Sequence, residues 1–272
     1  MTAPTQPTDQ QADQQADQQA MIEIDGKRRY HEPAVDVDEA GLEAFREVVR
    51  GRRSVRRFTD RPIPPEVLQE CLDLAMLAPN SSGLQPWEFY VVRTPETKRA
   101  LVTACLGQLA ASTAAELIVC VARTDRIRPH AAQMLREWPL ADRNPLVTRY
   151  YRLIPWHYAP GPLDLAGRVK RLAYGAVGLV RPMPRGPFTR ADLRLWAAKS
   201  TALACENLVL ALRAHGFDSC MMEGFDEARV ARLLDLDAAA VPIMVIGAGE
   251  RAPDGVFWPQ VRFDRDQFVH EV

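Results

Sequence analysis

Residues 52–58 read Arg-Arg-Ser-Val-Arg-Arg-Phe, a stretch with four guanidinium groups and one hydroxyl within six positions. Guanidinium groups bind phosphate oxygens as a bidentate fork, and a serine hydroxyl adds another donor. The stretch therefore predicts an anion-binding site. By itself it also fits a solvated basic loop, because arginine is abundant throughout this chain, so a second motif is needed to decide.

That second motif is residues 78–87, Ala-Pro-Asn-Ser-Ser-Gly-Leu-Gln-Pro-Trp, which lie about 25 residues further along the chain. They follow a predicted helix and precede a predicted strand. Small residues with amide and hydroxyl groups allow such a loop to approach a planar polar ring and to form hydrogen bonds with its edge. The alternative is an ordinary helix–strand connection.

Apolar periodicity places helices and strands around these motifs. The predicted helices cover residues 39–50, 64–77, 191–214 and 226–234, and another begins at Pro95. The predicted strands cover residues 87–93, 117–122, 217–222 and 241–249. This order is typical of an α+β or α/β domain. Residues 125–188, rich in aromatics, proline and arginine, do not continue it; they predict a helical insertion that serves as a lid, with an interfacial helix as the alternative.

The composition limits the function. The chain has 272 residues, 34 basic and 35 acidic side chains, and a formal charge of −1, which argues against a general nucleic-acid binder. No run of about 20 apolar residues exists to span a bilayer. The start of the chain is polar and lacks an apolar signal-peptide core. Five cysteines without a CxxC pair predict buried thiols rather than disulfides or a zinc site, and hence a cytoplasmic protein.

The N-terminal segment repeats Asp-Gln-Gln-Ala three times between Asp9 and Ala20. Such a segment has no apolar face to offset its ordering entropy, so residues 1–33 are predicted to be a disordered tail. Residues 34–272 are predicted to form one domain, which includes the insertion at about residues 125–188. Charge is uneven along the chain: residues 123–185 contain twelve basic and four acidic side chains, a net charge of +8.

The two motifs, in this order and at this spacing, resemble the nitroreductase family of FMN-dependent flavoproteins. Further similar segments are Ile63-Pro64, the helix of residues 199–215, Met222-Glu223-Gly224-Phe225, Val245-Ile246-Gly247 and Gln260-Val261-Arg262. The resemblance covers about residues 45–124 and 189–270. It implies a three-layer α+β fold, in which helices flank a central, mostly antiparallel sheet and the helical insertion lies outside the matched segments.

The resemblance also implies a site for FMN. Arg52, Ser54 and Arg56 would hold its phosphate and ribityl chain, with Arg53 and Val55 alongside. The other implied contacts are Arg262 on the phosphate, Asn80, Ser81 and Gly83 along the ring, and Met222, Glu223 and Gly224 past the flavin. A backbone N–H there would donate to flavin N5, the reactive centre, so no catalytic side chain and no metal is expected.

Two positions depart from the family pattern. The family commonly has Asn where this chain has Gly83, which removes one side-chain hydrogen bond to the ring; Asn80 is the expected substitute. The family's late Lys-x-Arg pair is Gln260-Val261-Arg262 here, and the arginines near residue 53 are expected to supply the missing charge. The family is usually a homodimer, so each site is expected to be built from both chains.

The expected activity is that of an FMN-dependent oxidoreductase, which passes hydride from NADH or NADPH through flavin N5 to a nitroaromatic, a quinone or a related small acceptor. Neither a nucleic acid nor a membrane surface is expected as a partner. Two alternatives stay open. One is a specialised flavoenzyme that acts on one metabolite without efficient use of NAD(P)H. The other is a flavin-binding protein whose basic insertion binds a membrane surface.

Overall fold

The computed structural model describes residues 21–24, 27–30, 35–139 and 144–272. Its helices are α1 (Glu39–Gly51), α2 (Pro65–Met76), α3 (Pro95–Ala104), α4 (Leu109–Ser112), α5 (Ile127–Arg136), α6 (Pro145–His157), α7 (Leu165–Val177), α8 (Arg190–Ala214) and α9 (Glu227–Leu233). Its strands are β1 (Met21–Ile24), β2 (Lys27–Tyr30), β3 (Trp87–Val91), β4 (Glu116–Arg123), β5 (Asp218–Met222) and β6 (Ala240–Gly249).

Four of these strands form an antiparallel sheet in the order β3-β4-β6-β5. Side chains alternate across it as strand geometry requires. In β4, Leu117 and Val119 pack with α3, α4 and α9, whereas Ile118 and Cys120 pack with α2 and α8. The sheet therefore lies between two helical layers, which confirms the α+β three-layer fold expected from the sequence.

Helix α8 is the central helix of one of these layers. It starts in a capping box, in which Asp192 N–H donates to Thr189 Oγ1 and the Asp192 carboxylate accepts from Thr189 N–H. Leu208 and Leu212 are buried between the helix and the sheet. Gly216 follows the helix with a positive φ of 82°, a backbone conformation that glycine adopts without strain.

The predicted insertion contains the helices α5, α6 and α7. Apolar side chains of α5 and α6 form a separate cluster with the first turns of α8, where the ring of Tyr158 lies 5.4 Å from that of Trp196 at a tilt of 41°. Helix α7 is fastened to the end of α6 by Lys170, whose Nζ donates to the carbonyls of Trp156, His157 and Ala159 at 3.0, 2.7 and 2.6 Å. A cation is favourable at this position because helix C-termini carry partial negative charge.

The strands β1 and β2 pair antiparallel, from Met21 opposite Tyr30 to Ile24 opposite Lys27. They lie inside the range predicted to be a disordered tail, and the prediction is wrong for these two strands. The sequence offers a reason: Met-Ile-Glu-Ile has β-branched residues, and Asp25-Gly26 is a favoured hairpin dipeptide. The repeat at residues 9–20 lies outside the described residues.

All five cysteines are buried free thiols, as the sequence predicted. Burial raises the pKa of Cys105 to about 11, and burial together with the charge of Glu70 does the same for Cys71. Cys71 and Cys105 are therefore neutral and act as small apolar side chains. Within the described part of the chain, no helix combines the length and hydropathy needed to cross a bilayer.

The cap of α8 gives a pH-dependent prediction. Partial burial tends to raise the pKa of Asp192, but hydrogen bonds from the Phe188 and Thr189 amides and from Arg171 lower it to about 2. Because the folded pKa lies below the unfolded value of about 3.9, this stabilisation is complete above pH 4 and is lost as the pH falls towards 2.

Asp192→Asn should therefore lower the free energy of unfolding at pH 7 by about 1 kcal/mol. Urea titrations at pH 7, 4 and 2 check this, since the curves of the two proteins should converge in acid. A difference that stays constant across this range would show that the carboxylate charge is not what stabilises the cap.

Candidate functional site

An arginine-lined cleft of about 240 Å³ lies beside the basic segment. It brings together the predicted phosphate ligands Arg52, Arg53, Ser54, Arg56 and Arg262, although the last lies some 200 residues from the others. The remaining lining residues are Val256, Trp258, Pro259, Gln260 and Val261. The C-terminal chain therefore forms one wall of the cleft and the basic segment forms the other.

Backbone hydrogen bonds fix the basic segment in place. Ser54 forms a parallel bridge with Ser219 of β5, and Val55 N–H donates to the Ser219 carbonyl at 3.0 Å. On the other side, Arg56 N–H donates to the Gly255 carbonyl at 2.7 Å. The side chain of Val55 is fully buried in the core, so it anchors the segment and does not line the cleft. The neighbouring polar side chains consequently face outward.

The guanidinium groups are held in different ways. Arg53 Nη2 donates to the Trp258 carbonyl at 2.6 Å, while the Arg56 guanidinium lies 5.5 Å from the centre of the Trp258 ring. Arg52 Nε lies 3.7 Å from a carboxylate oxygen of Glu206, on α8. Trp258 thus orients two of the arginines at once, through its carbonyl and through a cation–π contact.

The cleft has an excess of positive charge. Arg262 Nη1 donates to the Val261 carbonyl beside it, a neutral acceptor. Within the described residues, Arg53, Arg56 and Arg262 have no carboxylate within 4 Å, and each guanidinium has five N–H donors of which these contacts use few. The site can therefore accept a dianion such as a phosphate monoester.

The predicted segment at residues 222–224 leaves the same edge of the sheet. Because Ser54 and Ser219 pair in parallel, the chain from Ser54 to Arg56 runs alongside β5 towards Met222. Met222 is buried, whereas Glu223 and Gly224 are exposed beyond the end of β5. Gln108 Nε2 donates to the Gly224 carbonyl at 2.7 Å and fixes this turn. The basic segment and this turn therefore belong to one continuous region.

The loop of residues 78–86 is shaped by Asn80. Its Oδ1 accepts from Gln85 N–H at 2.8 Å, and its Nδ2 donates to the Ala78 carbonyl at 3.3 Å. These bonds close a turn in which Ser82, Gly83 and Gln85 have positive φ angles of 65°, 61° and 43°. The Asn80 amide thus has a role within the loop, and its predicted contact with a ring stays a prediction.

Gly83 lines a different cleft, of about 460 Å³, together with residues of α2, β3 and α5. In the described residues the arginine-lined cleft includes neither Asn80 nor Ser81 nor Gly83. The insertion packs directly on this loop, since Tyr151 Oη donates to the Ser82 carbonyl at 3.1 Å and Tyr150 Oη lies 2.7 Å from Ser82 Oγ. In a single chain, the predicted phosphate ligands and the predicted ring contacts therefore lie in two separate clefts.

Three residues that shape the candidate site are not predicted from the sequence: Trp258, Gln108 and Glu206. Trp258 had a usable signal, because Phe257-Trp258 is an aromatic pair just before the recognised Gln260-Val261-Arg262 segment and arginine-rich sites often contain such rings. The sequence contains no comparable signal for Gln108 or Glu206. Gln108 precedes α4 and Glu206 lies on α8, and only the tertiary fold brings them to the site.

The sequence model of the Nitroreductase family matches residues 49–250. A Thermus thermophilus protein named NADH dehydrogenase is 28% identical over 238 residues, which cover 87% of this chain and 96% of that protein. Protein DrgA of Synechocystis is 31% identical over 199 residues, or 72% of this chain and 80% of that protein. Two solved structures show the same fold.

The first is YdfN of Bacillus subtilis, with a TM-score of 0.68, 22% identity and coverage of 85% of this chain and 100% of that one. The second is an Exiguobacterium sibiricum protein described as a nitroreductase in complex with FMN, with a TM-score of 0.62, 23% identity and coverage of 89% and 99%. The fold is thus shared with structures described as nitroreductases, a class of oxidoreductases. The chain belongs to the nitroreductase family, which confirms the resemblance and the enzyme class expected from the sequence.

Two substitutions of Asn80 distinguish the contribution of its bond from Gln85 N–H from that of its bond to the Ala78 carbonyl. Asn80→Ala should lower the free energy of unfolding by about 0.5–1.5 kcal/mol, because the Gln85 amide loses its acceptor. Asn80→Asp keeps an acceptor oxygen at that place and should lose less. Urea denaturation of the three proteins is the measurement; equal losses in the two variants would mean that the bond to Gln85 does not hold the turn.

Proposed function

We propose that this enzyme binds FMN in the arginine-lined cleft and transfers reducing equivalents from NADH or NADPH to a small acceptor. One observation carries the proposal: three guanidinium groups that have no carboxylate partner among the described residues, and Arg52 beside them, converge on a cleft next to the turn at Glu223-Gly224. A ligand with a phosphate at one end and a planar ring at the other suits this site. Its phosphate would meet the arginines, and its ring would lie at the exposed backbone of Glu223 and Gly224.

The residues that line the cleft are suited to bind FMN. Arg52, Arg56 and Arg262 supply forked donors for the phosphate, and Ser54 adds a hydroxyl. The missing lysine of the family pattern is compensated by Arg53, which Trp258 holds at the cleft. Gly224 has open space around it, because an added Cβ would come no closer than 3.8 Å to Gln108 Nε2, so a ring can approach the backbone at this turn.

Bound FMN would supply two-electron transfer from a nicotinamide to the acceptor, as cofactors of this kind do. The chain supplies position and charge. The backbone at Glu223 and Gly224 would place an N–H donor against the edge of the ring, and the arginines would fix the phosphate end. The same cations would stabilise negative charge that develops on the ring. The names of the Thermus relative and of the FMN-containing neighbour support this assignment.

A homodimer would bring the two halves of the site together. Helix α1 is amphipathic, with Leu42, Phe45 and Val49 along one face, yet none of its residues is buried in the single chain. Leu195 and Leu203 of α8 are exposed as well. Apolar faces of this kind indicate a partner surface. In the dimer, the loop at Asn80, Ser81 and Gly83 of one chain would complete the arginine-lined cleft of the other.

The visible absorption spectrum tests this function. The purified protein should be yellow and release FMN when denatured, and the absorption near the flavin maximum should bleach when NADPH or NADH is added without oxygen. Colourless protein that stays so after incubation with excess FMN would contradict the cofactor assignment. Yellow protein that neither nucleotide bleaches would support the specialised flavoenzyme instead.

Arg52→Ala should weaken FMN binding by about 1.5–3 kcal/mol, because a charge-assisted hydrogen bond is lost. This corresponds to a roughly 10- to 150-fold rise in Kd. Arg57→Ala is the matched control: Arg57 lies in the same segment, pairs with Asp254 and does not line the cleft. Quenching of FMN fluorescence gives both constants, and equal effects would refute a specific role for Arg52.

Sites built across two chains predict complementation. Arg52→Ala and Ser81→Trp homodimers should each have little activity, since one loses a phosphate ligand and the other blocks the ring. Unfolding and refolding an equal mixture should yield one intact site in each heterodimer, or about a quarter of the wild-type sites. NADPH oxidation measures this recovery. Activity no higher than the average of the two variants would place each site within a single chain.

A further inference from the structure

The outer face of α7 and the chain after it is apolar and open to solvent. Leu165, Val169 and Leu172 follow one another at helical spacing on the exposed side of α7. The apolar surface continues beyond the helix at Leu179 and Val180, which are 87% and 91% exposed. Isolated exposed leucines are common, but an ordered row of this length needs an explanation.

The opposite side of α7 packs on the rest of the chain, so the apolar row faces solvent. Gly167 packs so closely on the next segment that an added Cβ would lie 2.0 Å from the Phe188 carbonyl oxygen. Lys170 is buried on the same side, where it caps α6. The row therefore points away from the body of the chain and does not contribute to its core.

The charge around this row is mainly positive. Residues 144–192 contain eight basic side chains and two acidic side chains, Asp164 and Asp192, which lie 3.6 and 2.6 Å from Arg190 and Arg171. Arg168 on the helix and Arg181 and Arg185 after Val180 are exposed, and none of the three has a carboxylate within 4 Å among the described residues. An apolar helix face bordered by arginines is the pattern of a helix that lies in the plane of a membrane interface.

We propose that the face of α7 and residues 179–185 binds the surface of a bilayer that contains anionic phospholipids. The apolar row would enter the boundary between headgroups and acyl chains, while the arginines would contact lipid phosphates. A second copy of the same face does not suit it, since residues 144–192 carry a net charge of +6 and the two copies would repel each other. The acidic segment 1–20 does not suit it either, because it lacks large apolar side chains beyond Met1.

Vesicle co-sedimentation tests the proposal with the full chain and its bound cofactor. The wild-type protein should sediment with vesicles of about 30% phosphatidylglycerol in phosphatidylcholine at an ionic strength of about 0.1 M. It should remain in the supernatant with pure phosphatidylcholine, and raising the salt to about 0.5 M should release most of it. Wild-type protein that stays in the supernatant with the anionic vesicles would overturn the proposal.

Paired variants locate the surface. Val169→Gln with Leu172→Gln, and separately Arg168→Gln with Arg181→Gln, should each weaken vesicle binding roughly tenfold or more. The matched controls are Val35→Gln with Val37→Gln, another exposed apolar pair, and Arg99→Gln with Arg232→Gln, which removes the same charge elsewhere. Effects of equal size in controls and test variants would overturn the assignment to α7.

Two further readouts distinguish other occupants of this face. If Val169→Gln with Leu172→Gln converts a dimer to a monomer in light scattering, the face is a subunit interface and the proposal fails. If the same variant leaves vesicle binding unchanged but raises KM for a quinone acceptor, the face is a lid over the site and the proposal also fails. Because sedimentation is followed by protein and not by activity, its result does not depend on the proposed reaction.

Discussion

The pairing of the basic segment with the edge of β5 is the constraint on which the candidate site depends. The Ser54–Ser219 bridge, the bond from Val55 N–H to the Ser219 carbonyl and the bond from Arg56 N–H to the Gly255 carbonyl hold the segment between the sheet and the C-terminal chain. Since backbone atoms make these bonds and the Val55 side chain is buried, the flanking arginines are left available for an anion. The backbone that carries these arginines is thus fixed by contacts within the chain itself.

The cluster of arginines in the cleft lowers the stability of the folded chain, and this cost indicates that the cluster binds an anion. Guanidinium groups that converge without carboxylate partners repel one another, and the repulsion lowers the stability of the folded chain. The cation–π contact with Trp258 and the neutral carbonyl acceptors offset part of it, but they leave the excess charge in place. A bound dianion would remove the repulsion and stabilise the folded state by linkage. Such a cluster is explained by a ligand better than by the stability of the chain.

Features that depend on neighbouring residues were predictable from the sequence, whereas contacts between residues far apart in the chain were not. Helices such as α2 and strands such as β4 were placed within a few residues, because their apolar periodicity is local. The meeting of Arg52 with Arg262 could not be derived from spacing and came only from the family resemblance. Asn80 was recognised as important but not as the residue that closes its own turn, since the bond to Gln85 depends on three positive φ angles. The β1–β2 pair was missed because the neighbouring repeat dominated the composition.

The insertion connects the loop at Ser82 with the outer face of α7, the two surfaces for which functions are proposed. On its inner side, Tyr151 and Tyr150 bind Ser82, and His130 Nδ1 lies 2.7 Å from the Leu84 carbonyl, so α5 and α6 are fastened to the loop expected at the flavin ring. On its outer side, α7 carries the exposed apolar row, and Lys170 fixes α7 to the end of α6 through three carbonyls. The first set of hydrogen bonds joins the insertion to the loop and the second joins α7 to α6, so a chain of direct contacts connects the loop with the outer face of the insertion. If α7 binds a membrane as proposed, these contacts place the loop expected at the flavin ring on the same insertion as the membrane-binding face.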